Sequence, residues 1–255
     1  MEPLSCKIAP KAVSQAVDSL SVTANKGPVV DLVDASKIYG TFAALRKVTL
    51  AIQPGTCTVI LGENGAGKST LLRLIAGLIT PTRGTITTFA GRPQEERRRI
   101  AYMSHAPMLY DELSAMENLT YFAGLHREEG CACAGSPEMA LRAVGLDPAL
   151  KRPVGQYSQG MRQRTSLARV LQTDPQLLLL DEPFSNLDVG SVAHMVELLA
   201  DFRTWPTPDG GSRTILMTTH QAHLADPLAD TTLTMRAGQV ISITSKVRAE
   251  AAAGS

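Results

Sequence analysis

Residues 61–70 read LGENGAGKST. Gly62, Gly67, Lys68 and Ser69 satisfy G-x-x-x-x-G-K-[ST], a loop whose bare backbone amides cradle phosphates while the lysine reaches the outer ones and the hydroxyl takes Mg²⁺. Glu63, Asn64, Gly65 and Ala66 supply the intervening amides, and Thr70 follows at the same anion. Glycine lets the backbone bend around the anion with no Cβ in the way, and a following helix turns its positive end toward the charge. The flanks meet that need. TCTVILG, residues 56–62, is rich in β-branched side chains and predicts a strand, while KSTLLRLIAGL, residues 68–78, has helical spacing with Gly77 near its end. Strand, loop and helix in this order predict an α/β fold that binds a nucleoside triphosphate. An ordinary glycine-rich turn leaves that order unexplained.

At 255 residues and 44% hydrophobic content, the chain is long enough for one substantial core in one or two domains, and no internal repeat is visible. Its 25 basic residues nearly balance its 24 acidic ones, so no overall field attracts nucleic acid or an anionic membrane. The densest charged run, EERRR at Glu95–Arg99, reads as a solvated turn ahead of a strand. Nothing approaches the run of about 20 apolar residues that a membrane-spanning helix needs, which predicts a chain that is soluble by itself. Residues 1–28 lack a helical period and an apolar core and are expected to be a mobile tail, and residues 246–255 are expected to be a C-terminal tail. Cys57 falls in the apolar strand, Cys6 in the tail, and Cys131 and Cys133 in GCACAG, so no disulfide framework emerges and a reducing compartment is expected. A CxC pair can hold metal, but no second Cys or His pair stands at zinc spacing, and incidental loop thiols account for it as well.

A second site is encoded in PQLLLLDEPFSNLD, residues 175–188. Four leucines ending in two carboxylates fit a strand buried on both faces of a parallel sheet, with Asp181 and Glu182 emerging at its carboxyl end. Ligands of open α/β sheets bind outside those ends, so both motifs are expected to share one pocket. Successive strand residues point in different directions. Asp181 is therefore expected in the Mg²⁺ shell, with Glu182 as the base that deprotonates a water for attack on the γ-phosphate. Between the two sites lies YSQGMRQRTSLARVL, residues 157–171, in which Ser158 is an N-cap and Gly160–Leu171 has helical spacing with Leu167, Val170 and Leu171 on the apolar side. Ser158, Gln159 and Gly160 would present a hydroxyl and free amides at a positive helix end, suited to a second clamp on a triphosphate.

Over about residues 29–243 the chain resembles the ATPase subunits of ABC transporters, whose signature segment, usually LSGGQ, precedes the acidic strand. The resemblance implies ATP and Mg²⁺ as cofactors and a head-to-tail ATPase dimer in which each signature segment caps the partner's ATP. It also implies that Tyr39 stacks on adenine, that Asn186–Asp188 cross the dimer, and that His220 in TTHQ is the histidine that senses the γ-phosphate. Taken singly, Tyr39 also reads as a turn residue and His220 as a hydrogen-bonded strand end. The implied fold is a P-loop NTPase core with an antiparallel β subdomain over residues 29–100 and a helical insertion over about 106–172.

Two departures stand out. The signature reads YSQGM, with Tyr157 and Met161 in place of the usual Leu and Gln, and His105 stands where most of the family has the Gln that touches Mg²⁺ and senses the membrane partner. His105, TTHQ and LDEPF together resemble the haem-exporter ATPases of cytochrome c maturation, the A subunit, although that group usually follows the His with Gln where this chain has Ala106. That resemblance implies integral membrane permease subunits as partners, among them the maturation subunits B, C and D, and a peripheral place on the cytoplasmic face of the inner membrane. Two other readings remain open: the ATPase of a drug or polysaccharide efflux transporter, and a soluble ABC protein acting on ribosomes or DNA. The second commonly carries two ATPase domains or a long coiled coil, and neither heptads nor a second phosphate loop occur here. SAME, residues 114–117, is a capping box predicting a helix to about His126, and Ser136 with Pro137 predicts another that stops at Gly145.

Overall fold

The computed structural model describes residues 27–128, 135–207 and 210–246. Cys6, the Cys131/Cys133 pair and the two expected tails, apart from residues 27, 28 and 246, lie outside the described residues.

Strands β1 (Val30–Tyr39) and β2 (Phe42–Ile52) form a hairpin with Tyr39 opposite Phe42, the chain reversing at Gly40, whose positive φ of 57° suits glycine. β4 (Arg83–Thr88) pairs with the other edge of β1, completing an antiparallel sheet in the order β2-β1-β4. β3 (Cys57–Leu61) lies inside the span expected for that subdomain but joins a different sheet. Its short, fully apolar run seeks burial on both faces, and it finds that between parallel strands. β5 (Ile100–Met103), β6 (Leu177–Asp181), β7 (Thr214–Thr218), β8 (Thr231–Arg236) and β9 (Gln239–Ser245) complete the order β5-β6-β7-β3-β8-β9, parallel except for β9.

The leucine run of β6 shows why both faces are filled. Leu177 and Leu179 pack with Ile60, Leu216 and the antiparallel sheet around helix α1 (Lys68–Ile75), which contributes Leu71, Leu72, Leu74 and Ile75. Leu178 and Leu180 face the opposite way, with Val59, Ile215 and Met217, against the remaining helices. Alternate residues thus feed two cores, each buried leucine contributing roughly 1.5–3 kcal/mol of transfer free energy.

The second core is covered by α2 (Ala115–Glu128), α3 (Pro137–Ala143), α4 (Gln159–Leu171) and α5 (Val189–Thr204). Their starts follow the sequence. Ser114 and Glu117 exchange capping bonds: the Glu117 amide donates to the Ser114 hydroxyl, and the Glu117 carboxylate accepts from the Ser114 hydroxyl at 2.7 Å and amide at 2.8 Å, which hold the carboxyl below its usual range. Ser136 accepts from the Met139 amide, Ser158 from the Met161 amide and Asp188 from the Ser191 amide. EERRR becomes a single 3-10 turn at Arg97–Arg99 leading into β5. A last short helix, α6 (Ala222–Ala225), follows β7. Among the described residues no helix is long and apolar enough to cross a membrane.

Candidate active site

β3, β6 and β7 end side by side, and each delivers part of the site. From β3 the chain enters the glycine loop, where Gly62 and Gly67 have positive φ of 152° and 101°. A Cβ on Gly62 would come within 2.4 Å of the Met235 carbonyl oxygen, and one on Gly67 within 2.6 Å of that of Ala44, so only glycine lets the loop lie this close to its neighbours. The loop then runs into α1. Lys68 turns back over it, its Nζ donating to the carbonyls of Gly62 at 2.6 Å and Glu63 at 3.2 Å, and is only 7% exposed. A buried ammonium folded over a glycine loop at a helix start is a receptor for an anion.

β6 delivers Asp181, 2% exposed, whose Oδ1 accepts from the hydroxyls of Ser69 at 3.0 Å and Thr218 at 2.7 Å, while Oδ2 accepts from Tyr102 at 3.3 Å. Burial, with Asp181 beside it, pushes the Tyr102 phenol up, and the Tyr102 hydroxyl in turn raises Arg73. Glu182 follows in the left-handed region at φ 54°, an uncommon conformation for a side chain of this kind. Its carboxylate lies 3.9 Å from Lys68 Nζ and 2.9 Å from His220 Nδ1.

His220 sits just beyond β7. Its Nε2 is 3.1 Å from the Gln221 side-chain amide, and its Nδ1 faces the Glu182 carboxylate. Both ring nitrogens are therefore engaged, and a bond to a phosphate requires the Gln221 amide to move away.

These groups surround a cavity of about 680 Å³. Glu63, Asn64, Gly65, Ala66, Gly67, Lys68, Ser69, Thr70, His105, Asp181, Glu182 and His220 line it, and Gly62 contributes the carbonyl that Lys68 grips. Tyr39 does not. Phe42, opposite it in the hairpin, forms that wall with Ala44, while the Tyr39 ring lies 5.2 Å from the Lys37 ammonium. Residues directly opposite in an antiparallel pair share a face, so the hairpin offers two aromatics there. Arg73 and Ser185 were also missed. Arg73 was within reach, standing four residues beyond Ser69 on the same helical face.

Ser158, Gln159 and Gly160 do not border this cavity. Gln159 lines a smaller one, about 340 Å³, with His105, Ala106, Pro107, Gln163, Ser185 and Asn186. Asn186 carries a positive φ of 61°, and the amide and hydroxyl of Ser191 hold the Asp188 carboxyl below its usual range.

A family model described as "ABC transporter" matches residues 45–185. The ABC transporter ATP-binding protein NatA of Bacillus subtilis (strain 168) is 36% identical over 206 residues, which cover 78% of this chain and 80% of NatA. The sulfate/thiosulfate import ATP-binding protein CysA of Mycolicibacterium paratuberculosis is 35% identical over 215 residues, 82% of this chain but only 58% of that longer protein. Among solved structures, a dimeric post-hydrolysis state of the ATP-binding cassette MJ0796 bound to ADP and Pi superposes with a TM-score of 0.70 at 26% identity, covering 85% of this chain and 98% of that one. The chain belongs to the ABC transporter family, and within it to the subunits that bind and hydrolyse ATP.

Proposed function

We propose that two copies of this chain pair head to tail on integral membrane permease subunits, at the cytoplasmic face of the inner membrane, and that their ATP hydrolysis drives haem handling for c-type cytochromes with the maturation subunits B, C and D. The observation that carries the catalytic part is the convergence of Lys68, Glu182 and His220 on the mouth of the phosphate loop. The haem part is supported by His105, which lines the cavity wall at the position where the family usually has Gln.

In this reading the amides of residues 62–69 and the Lys68 ammonium hold the β- and γ-phosphates. Among the described residues no cluster of three or more His, Cys, Asp or Glu could hold a metal by itself. That fits Mg²⁺, which keeps several waters and needs only one or two protein oxygens besides the phosphates, here Ser69 and Asp181, with His105 on the same cavity wall. Bound there, Mg²⁺ would supply positive charge to the phosphate oxygens. Glu182 accepts a proton from a water whose oxygen bonds to the γ-phosphorus as the bond to the β–γ bridging oxygen breaks, leaving ADP and phosphate. His220 and Lys68 hold the Glu182 carboxylate in place for that transfer. Ser158, Gln159 and Gly160, outside the chain's own cavity, are left to close the site of the second copy, and the dimeric MJ0796 neighbour supports that arrangement.

Deleting the gene tests the haem reading: c-type cytochromes should disappear while b-type ones remain. Normal covalent haem attachment in the deletion strain would overturn it, and the same ATPase would then serve an efflux or import complex.

A further inference from the structure

The geometry points to Gln163 as a positioning residue that couples the two ATP sites of the pair, by tying the helix that caps one site to the backbone that carries the base of the other. Gln163 lies on α4, five residues beyond the Ser158 cap, and is 5% exposed. Its amide nitrogen donates to two successive carbonyls, Glu182 at 3.4 Å and Pro183 at 3.3 Å. From the other side, the carbonyl and hydroxyl of Thr218 accept the Glu182 amide at 3.2 and 3.0 Å. The left-handed turn at Glu182 is thus held between β7 and α4, and a strained conformation persists only where its surroundings over-determine it. Burying an amide here is costly unless it is bonded, and those carbonyls are the partners its nitrogen has.

The inference rests on the head-to-tail reading. If Ser158 and Gly160 cap the partner's ATP, then closure there pulls on the start of α4. The helix is one hydrogen-bonded rod from that cap through Gln163, with Met161 bonded back to Ser158 and Thr165 to Met161. Movement at one ATP site therefore reaches the backbone of the other's carboxylate through the buried Gln163 amide. Two sites linked in this way show a coupling in their binding and turnover.

The test compares the parent with Gln163→Leu and Gln163→Glu. Binding of a fluorescent ATP analogue to Gln163→Leu should match the parent, because the phosphate loop is untouched. Its kcat should fall about tenfold, since small misplacements of a reacting group cost one to two orders of magnitude, and the Hill coefficient for ATP should drop toward one. In Gln163→Glu an ionised carboxylate faces the two carbonyls and donates nothing, whereas its protonated form donates again. Burial favours that protonated form. The ratio of its kcat to the parent's should therefore rise as the pH is lowered from 8 to 6, while the Gln163→Leu ratio stays flat; Glu182, His220 and His105, the other ionisable side chains near this position, are present in all three proteins.

Parent kcat and Hill coefficient in Gln163→Leu would overturn the inference. So would a loss that is independent of pH in both variants and accompanied by weaker nucleotide binding, which is what a purely structural role predicts. Failure of the pairing reading looks different. Glu182→Gln would remain monomeric with MgATP and the parent would show no cooperativity, and the coupling would fall with the pairing. A Glu182→Gln dimer together with unchanged cooperativity in Gln163→Leu overturns the coupling alone.

Discussion

The Ser69 hydroxyl donates to Asp181 Oδ1 at 3.0 Å across 112 residues of sequence. One bond joins the start of α1 to the end of β6, and with it the half of the site that grips phosphate to the half that works on it.

That division is separable by mutation. Glu182→Gln keeps a near-isosteric side chain and removes the base, so nucleotide binding should persist while hydrolysis drops by roughly 10²–10⁴-fold. The trapped ATP should hold two copies together, so light scattering should report a dimer with MgATP and a monomer with MgADP. Lys68→Ala should bind poorly and stay monomeric in both. Hydrolysis by Glu182→Gln at the parent rate would remove Glu182 as the base.

His105→Gln restores an amide that can also donate and accept at the cavity wall, and it should retain most of the ATPase activity. Steady-state phosphate release decides the point. A loss of orders of magnitude would make the imidazole part of the catalytic machinery and not a link to the membrane partner.

Nucleotide affinity distinguishes the two hairpin aromatics. Aromatic stacking on a base is worth about 1–3 kcal/mol, so Phe42→Ala should weaken binding of a fluorescent ATP analogue by roughly five- to 150-fold. Tyr39→Ala should do less, because its ring lies outside the cavity wall. The reverse ranking would make Tyr39 the adenine platform.

Cys57 gives a pH signature. Burial pushes its thiol from 9.0 up to about 12, overcoming the opposite pull of Arg203. Because the folded value exceeds the unfolded one, the native state holds about one proton more between those limits, and stability is lost as the pH rises through them. Urea unfolding between pH 8 and 11 should show a steeper decline for the parent than for Cys57→Ala. Equal slopes would sink the assignment.

The phosphate loop, the acidic strand end and the starts of α2, α3 and α4 were legible because each is a local code: fixed residue types at fixed spacing, satisfied by near neighbours. Ser114 and Glu117 need only each other to define a helix start. What the sequence hid was non-local. Nothing in CTVIL says that β3 leaves the antiparallel sheet around it and pairs with β7 and β8. Phe42 and Tyr39 are equivalent as letters and differ only in which one meets the loop. The bond from the Gln163 amide to the carbonyl of Glu182 joins two segments whose letters give no sign of each other.

The strand order also sets a timetable for synthesis. β3 carries the phosphate loop near the start of the fold, yet its two neighbours are β7 and β8, which end at Thr218 and Arg236. A ribosome releases the chain from the amino end, and pairings this distant in sequence form slowly. The loop strand therefore waits with both edges open until nearly the whole described chain has emerged. Nucleotide binding should thus appear late and abruptly in nascent chains of increasing length, and a chaperone that shields exposed strand edges would find its target in the segment just ahead of Gly62.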